Sequence, residues 1–157
     1  MILGQGFNEN YKLPDGNYGE GDYIFNTTDL VIPSEGIAHR GKQTVSIIGN
    51  ACFSNCNTIK TVVIPETVEI IQQYAFVQCR NLTKVTLSEG VKQIDRGVFM
   101  NCSSLTEINI PSSVTTMGEN VFPGCPNELK IYVDKYESEC SDWPSDWFGT
   151  GTVIYKK

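Results

Sequence analysis

The side chains best suited to chemistry in this 157-residue chain are six cysteines, one histidine and two tryptophans. Four of the cysteines, Cys56, Cys79, Cys102 and Cys125, recur at intervals of 23 residues, each three positions after a phenylalanine: Phe53, Phe76, Phe99 and Phe122. Thiols in such a series could ligate a metal or bridge neighbouring segments. Zinc sites, however, usually draw on close pairs such as C-x-x-C joined by a second pair or by histidines. The one close pair here, Cys52 and Cys56, has no such companion. A catalytic motif is used once in a domain, whereas four copies at one interval indicate architecture. The series is therefore expected to be a reduced, buried thiol column beside a stack of rings, the rings ~5 Å apart as adjacent strands are. No metal or cofactor is expected.

The other chemical candidates are weaker. His39 stands beside Arg40 with no nucleophile or carboxylate in sequence to orient it as a general base, and a solvated loop position accounts for it. "DGNYGEGD", Asp15 to Asp22, superficially suggests a calcium loop. Counted from Asp15, the sixth position is Glu20 instead of Gly and the twelfth is Asn26 instead of Glu, so a plain turn is expected. Asn26 begins an "NTT" glycosylation sequon, relevant in a eukaryotic secretory setting. Trp143 and Trp147, with Phe148 beside them, could stack on a sugar or peptide, but such a cluster more often closes a hydrophobic end.

The elements that position these residues follow from the period. Val45, Val68, Val91 and Val114 form one column; Ile48, Ile71, Ile94 and Met117 the next; Ile59, Leu82 and Leu105 another, in which Glu128 takes the fourth place. Val62, Val85, Ile108 and Ile131, then Ile64, Leu87, Ile110 and Val133, complete the set. A fixed period of this length means stacked coils, each burying its apolar side against its neighbours. The tails "TVVIP" and "EINIP" alternate apolar and polar, which predicts strands stopped by Pro65 and Pro111. "VEII" and its equivalents predict a second, shorter strand. The stretch from Gln72 to Cys79 suits a short helical or 3₁₀ turn, with Gly49 and Gly118 at the bend.

The resulting template, I-P-x-x-V-x-x-I-G-x-x-A-F-x-x-C-x-x-L, resembles the BspA-like, Treponema-type leucine-rich repeat over roughly Leu30 to Val133. Together with the period, this resemblance implies an α/β-type right-handed solenoid. Its 23-residue coils would carry short parallel strands, short helical or 3₁₀ turns and terminal caps. Residues 1–29 are expected to cover the first coil, 30–133 to form the solenoid, and 134–157, which hold both tryptophans, to cover the last. The first unit is nine residues longer than the period, and a hairpin-like loop over 34–44 accommodates the excess.

Charge narrows the partners. Twelve Lys and Arg against eighteen Asp and Glu give a net charge of −6, which repels phosphate backbones, so nucleic acid is not expected. No apolar run is long enough to span a membrane. The first ten residues lack the pattern of a secretory signal, so either the chain stays inside the cell or Met1 is not the native start. Outward strand positions form two columns that offer a mixed polar ribbon: Thr61, Lys84, Glu107 and Lys130, preceded by Asp29, and Val63, Thr86, Asn109 and Tyr132, preceded by Val31. These residues are the candidate binding surface for a protein or glycan. The family resemblance implies a non-catalytic cell-surface or secreted module engaged in adhesion to host or extracellular matrix proteins. Two alternatives stand beside it: an intracellular scaffold or regulatory repeat, and an enzyme using the inserted loop around His39.

Overall fold

Each 23-residue unit supplies a two-residue strand, a corner and a four-residue strand in fixed order, and each of these bonds to its equivalent in the neighbouring unit. The computed structural model describes residues 2–3, 27–38 and 41–157. The longer strands are β2 (Asp29–Val31), β6 (Thr61–Ile64), β8 (Lys84–Leu87), β10 (Glu107–Ile110), β12 (Lys130–Val133) and β13 (Thr152–Tyr155). They form a six-stranded sheet in the order β13-β12-β10-β8-β6-β2, with every pair parallel. The shorter strands β1 (Ile2–Leu3), β5 (Ile47–Ile48), β7 (Ile70–Ile71), β9 (Gln93–Ile94) and β11 (Thr116–Met117) form a five-stranded parallel sheet in that order. Within the first unit, β3 (Glu35–Ala38) and β4 (Gly41–Thr44) make an antiparallel hairpin, with Lys42 Nζ 2.7 Å from Glu35 Oε2.

Register carries the repeat into the core. Val62 lies opposite Val85, Ile108 opposite Val85 and Ile131, and all four are buried. β-branched residues suit these pleated, half-covered strands, and each fully buried aliphatic side chain contributes roughly 1.5–3 kcal/mol. The valines at 45, 68, 91 and 114 are fully buried, as are Ile48, Ile71 and Ile94 of the short sheet. The molecule is a β-solenoid with one continuous core running along its axis.

Two expectations need correction. The fold is not α/β: among the described residues the one helical segment is a 3₁₀ turn at Glu137–Cys140, beyond the last repeat. The stretch expected to be helical, Gln72 to Cys79, is an irregular corner, because Tyr74 and Gln78 both have φ of +59°. Left-handed residues cannot continue a right-handed helix. The amide groups freed by this are used between coils instead: Tyr74, Phe76 and Gln78 donate to the carbonyls of Arg96, Val98 and Met100 at 3.1, 3.0 and 2.8 Å. The left-handed pair recurs with the period, at Ala51 and Asn55, Gly97 and Asn101, and Asn120 and Gly124. The second correction is at Glu128, which is exposed while Leu129 is fully buried in its place. Burying an unpaired carboxylate is prohibitive, so a one-residue shift confined to this turn brings in Leu129, while Phe122 before it and Ile131 after it keep the 23-residue register.

Candidate functional site

The Phe/Cys pairs belong to the corner. Consecutive rings lie 5.1, 5.6 and 5.6 Å apart from Phe53 to Phe122, with interplanar angles of 9°, 12° and 14°. The thiols explain why cysteine accompanies them. Cys79 Sγ donates to the Phe53 carbonyl at 3.0 Å, Cys102 Sγ to Phe76 at 3.2 Å and Cys125 Sγ to Phe99 at 3.2 Å. Each thiol thus fills a tight apolar corner and satisfies a carbonyl of the preceding coil. Cys56 differs: it is half-buried, and its Sγ lies 3.9 Å from the Ser54 carbonyl of its own turn, so the expectation that all four thiols are buried fails there.

All six cysteines are free thiols. Burial pushes Cys79 and Cys125 up to about 12, and Cys102 further in the same direction. Burial likewise raises Cys52 to about 12 and raises Cys56. A nucleophilic or metal-binding cysteine needs the opposite shift. Among the described residues no group of three or more His, Cys, Asp and Glu is placed to hold a metal. His39, Arg40, the Asp15–Asp22 stretch and Asn26 lie outside the described residues.

The tryptophans extend the ring stack. Trp147 is 3% exposed and meets Phe122 edge-on at 6.0 Å, while Trp143, 8% exposed, meets Trp147 at 5.3 Å. The Trp147 carbonyl accepts the amides of both Val121 and Phe122, at 3.0 and 3.1 Å. The stack leaves no open ring face on Trp147 for a ligand.

The ribbon is the outer face of the six-stranded sheet. Asp29, Thr61, Lys84, Glu107 and Lys130 stand in one register column, ending on Thr152. Val31 faces Val63, Val63 faces Thr86, and Asn109, Tyr132 and Ile154 continue the second column. Lys84, Thr86, Glu107, Asn109 and Lys130 are exposed, as are Val63 and Tyr132, at 38% and 37%. Neighbouring strands sit ~5 Å apart, so positive, negative and positive groups alternate along the first column. None of the three is tied up: the ion pairs among the described residues are Lys42–Glu35 and Lys92–Glu69.

Two expected residues are less available. Thr61 is half-buried and its hydroxyl donates to Asp29 Oδ1 at 2.7 Å; with a second donor from Thr28, this holds the Asp29 carboxyl below its usual range. Asn109 Nδ2 donates to Asp134 Oδ2 at 2.6 Å. At the far end of the ribbon the structure adds a depression of about 420 Å³, lined by Tyr132 and also by Glu89, Ser112, Asp134, Tyr155 and Lys156. Its polar members follow the ends of four different strands, β8, β10, β12 and β13. Sequence patterning missed them because they meet only once β13 lies beside β12.

The BspA type leucine rich repeat region matches residues 37–148, in six copies. The chain belongs to this family. Several solved leucine-rich repeat proteins resemble it. One from Bacteroides capillosus ATCC 29799 is 28% identical, with a TM-score of 0.56, covering 83% of this chain and 78% of its own. A leucine rich cell surface protein from Faecalibacterium prausnitzii A2-165 is 24% identical, with a TM-score of 0.52, covering 85% of this chain and 45% of its own. The pneumococcal vaccine antigen PcpA is 16% identical with a TM-score of 0.59, covering 96% of this chain and 48% of its own. At such identities the last two establish the fold alone, and this chain spans about half the length of either. No curated protein matches. Within this BspA-type repeat, the template residues form the core and corners, which leaves the residues between them to carry whatever is particular to this chain. Among the described residues no helix is long and apolar enough to cross a membrane.

Proposed function

We propose that this chain is a non-catalytic recognition module, displayed at a cell surface or secreted, that captures a protein partner through the ribbon formed by Val63, Lys84, Thr86, Glu107, Lys130 and Tyr132. The observation that carries the reading is the state of the ribbon charges. Lys84, Glu107 and Lys130 are exposed, alternate in sign on a rigid parallel sheet, and have no ion-pair partner within 4.0 Å among the described residues. A rigid array of untied charges sets register and on-rate, and an exposed aromatic such as Tyr132 supplies affinity once desolvated. The surface location draws on relatives described as a cell surface protein and a vaccine antigen. Family adhesion to host or matrix proteins points the same way.

The test is capture on immobilised extracellular proteins, in parallel with a glycan array. Lys84→Glu with Tyr132→Ala should leave the chain folded and weaken capture at least about tenfold, a loss of roughly 1.4 kcal/mol. Undiminished capture moves the site off the ribbon, and turnover of a substrate that is lost on His39→Ala replaces the reading with an enzyme.

A second reading, an intracellular scaffold, is favoured by the thiols. Six unpaired cysteines, with Cys52 and Cys56 only half-buried, suit a reducing compartment. Fractionation of the native host, with sequencing of the mature N-terminus, separates the two.

A further inference from the structure

The depression beside Tyr132 is a different kind of site from the flat ribbon it terminates. At about 420 Å³ it falls in the range of small-ligand pockets. Its polar groups are held in place before any ligand arrives. The Glu89 carboxylate accepts from Ser112 Oγ at 3.0 Å and from the Ser113 and Ser112 amides at 3.1 and 3.4 Å. Asp134 is fixed by Asn109 Nδ2 through Oδ2, and its own amide donates to the Ile110 carbonyl at 3.0 Å. Acceptors fixed in this way lose little side-chain freedom on binding. Tyr132 and Tyr155 supply aromatic surface next to them, and Lys156 lies at the same rim, its Nζ 5.9 Å from the Tyr136 ring centre.

Charge selects the class of ligand. An anion placed here would meet two carboxylates, Glu89 and Asp134, within one small volume. A cation would meet the ammonium of Lys156, which lines the same depression and stands over the Tyr136 ring. A neutral polyhydroxylated ring avoids both conflicts. Its hydroxyls donate to the lone pairs left on Asp134 and Glu89, a ring or hydroxyl oxygen accepts from Lys156, and its C–H face covers tyrosine surface.

We infer that this depression is a saccharide subsite that accepts one neutral pyranose residue. The inference rests on the recognition reading above and extends it, by giving the end of the ribbon a glycan specificity separate from its protein-binding face.

The experiment observes the full chain by NMR during titration with glucose, galactose, mannose and N-acetylglucosamine. Sialic acid and a lysine-rich peptide serve as anionic and cationic comparators. At least one neutral sugar should shift Tyr132 and Tyr155 resonances saturably. Asp134→Asn and Tyr132→Ala should each weaken that binding about tenfold without altering the unfolding midpoint, while Arg96→Ala, on another side of the coil, should leave it intact. Tighter binding of sialic acid or of the peptide overturns the assignment, as does the absence of any saturable shift with all four neutral sugars at millimolar concentration. The two proposals fail separately. Capture of a protein partner that is sensitive to Lys84→Glu but indifferent to Asp134→Asn keeps the ribbon when the pocket fails. Sugar binding lost on Asp134→Asn but unaffected by Lys84→Glu keeps the pocket when the ribbon fails.

Discussion

The corner of each coil and the outer face of its longer strand sit in the same repeat and obey the same 23-residue register, yet they use it in opposite ways. At the corner every coil repeats the residue: Phe at 53, 76, 99 and 122, Cys at 56, 79, 102 and 125. On the outer face the equivalent positions change at each step, from Thr61 to Lys84, Glu107 and Lys130. The difference follows from what each side chain touches. A corner ring is packed against the same ring above and below, so one choice must satisfy two identical neighbours. An outer side chain meets water, and its own coil does not restrict it. Sameness between coils therefore marks packing, and variation marks surface free to be specialised.

The largest effect should come from breaking the corner. Phe76 stacks on Phe53 at 5.1 Å and on Phe99 at 5.6 Å, so Phe76→Ala opens a cavity between two coils. The expected loss is about 3–5 kcal/mol in urea unfolding, the usual range for a buried aromatic cut to alanine. A loss below about 1 kcal/mol would mean that the rings do not support one another.

The backbone of the same corner gives a smaller, sharper test. Gly97 has φ of +65°, and a Cβ there would approach the Tyr74 ring to 2.5 Å. Gly97→Ala should cost about 2 kcal/mol, of which roughly 1 kcal/mol is left-handed strain that any L-residue feels. Removing the ring with Tyr74→Ala should relieve the remainder, and a double-mutant cycle reads the coupling directly. Equal cost in both backgrounds would show that the ring can step aside.

These corner features also mark the limit of what could be read in sequence. The apolar columns were legible because hydrophobic side chains at a fixed period have one use. The left-handed residues were not, since Tyr74 and Gln78 are neither Gly nor Asn and resemble ordinary helix material. The thiol-to-carbonyl bonds were hidden as well, because cysteine at a packed position looks like a small apolar residue until its acceptor is seen. Leu129 was missed because a rigid 23-residue count put Glu128 in its column, and only burial cost decides between the two. On the outer face, alternation sufficed to place the ribbon residues on one surface. The pocket beside Tyr132 was out of reach, since Glu89, Ser112 and Asp134 come from different coils and Tyr155 from a strand outside the repeat.

The thiols allow a chemical probe of the corner. Cys79 and Cys125 titrate near 12 in the folded chain because burial disfavours their thiolates, whereas unfolded cysteine ionises at about 8.5. The folded value is the higher one, so the stabilising contribution is whole below about pH 8.5 and is lost as pH rises toward 12. The unfolding midpoint should be flat through neutral pH and fall steadily above about pH 9. Iodoacetamide at about pH 8 should spare Cys79, Cys102 and Cys125 in the native chain and label half-buried Cys56 first. Rapid native labelling of Cys102 would show that the corner opens.

The smallest effect on stability is expected on the ribbon. Lys84 lies opposite Glu107 in register, and Glu107 opposite Lys130. Lys84→Glu replaces one attractive cross-strand neighbour with a repulsive one, a change of about 0.2–1 kcal/mol for an exposed pair. Glu107→Lys does the same on both sides at once and should cost somewhat more. Raising salt to about 1 M shortens the screening length to ~3 Å, less than the strand spacing, and should erase both differences. A salt-independent loss above about 1.5 kcal/mol would place these side chains in the structure instead of on its surface. If the losses are small and screened while partner capture falls tenfold, the ribbon tolerates change in folding and not in binding, as a surface free of packing duties must.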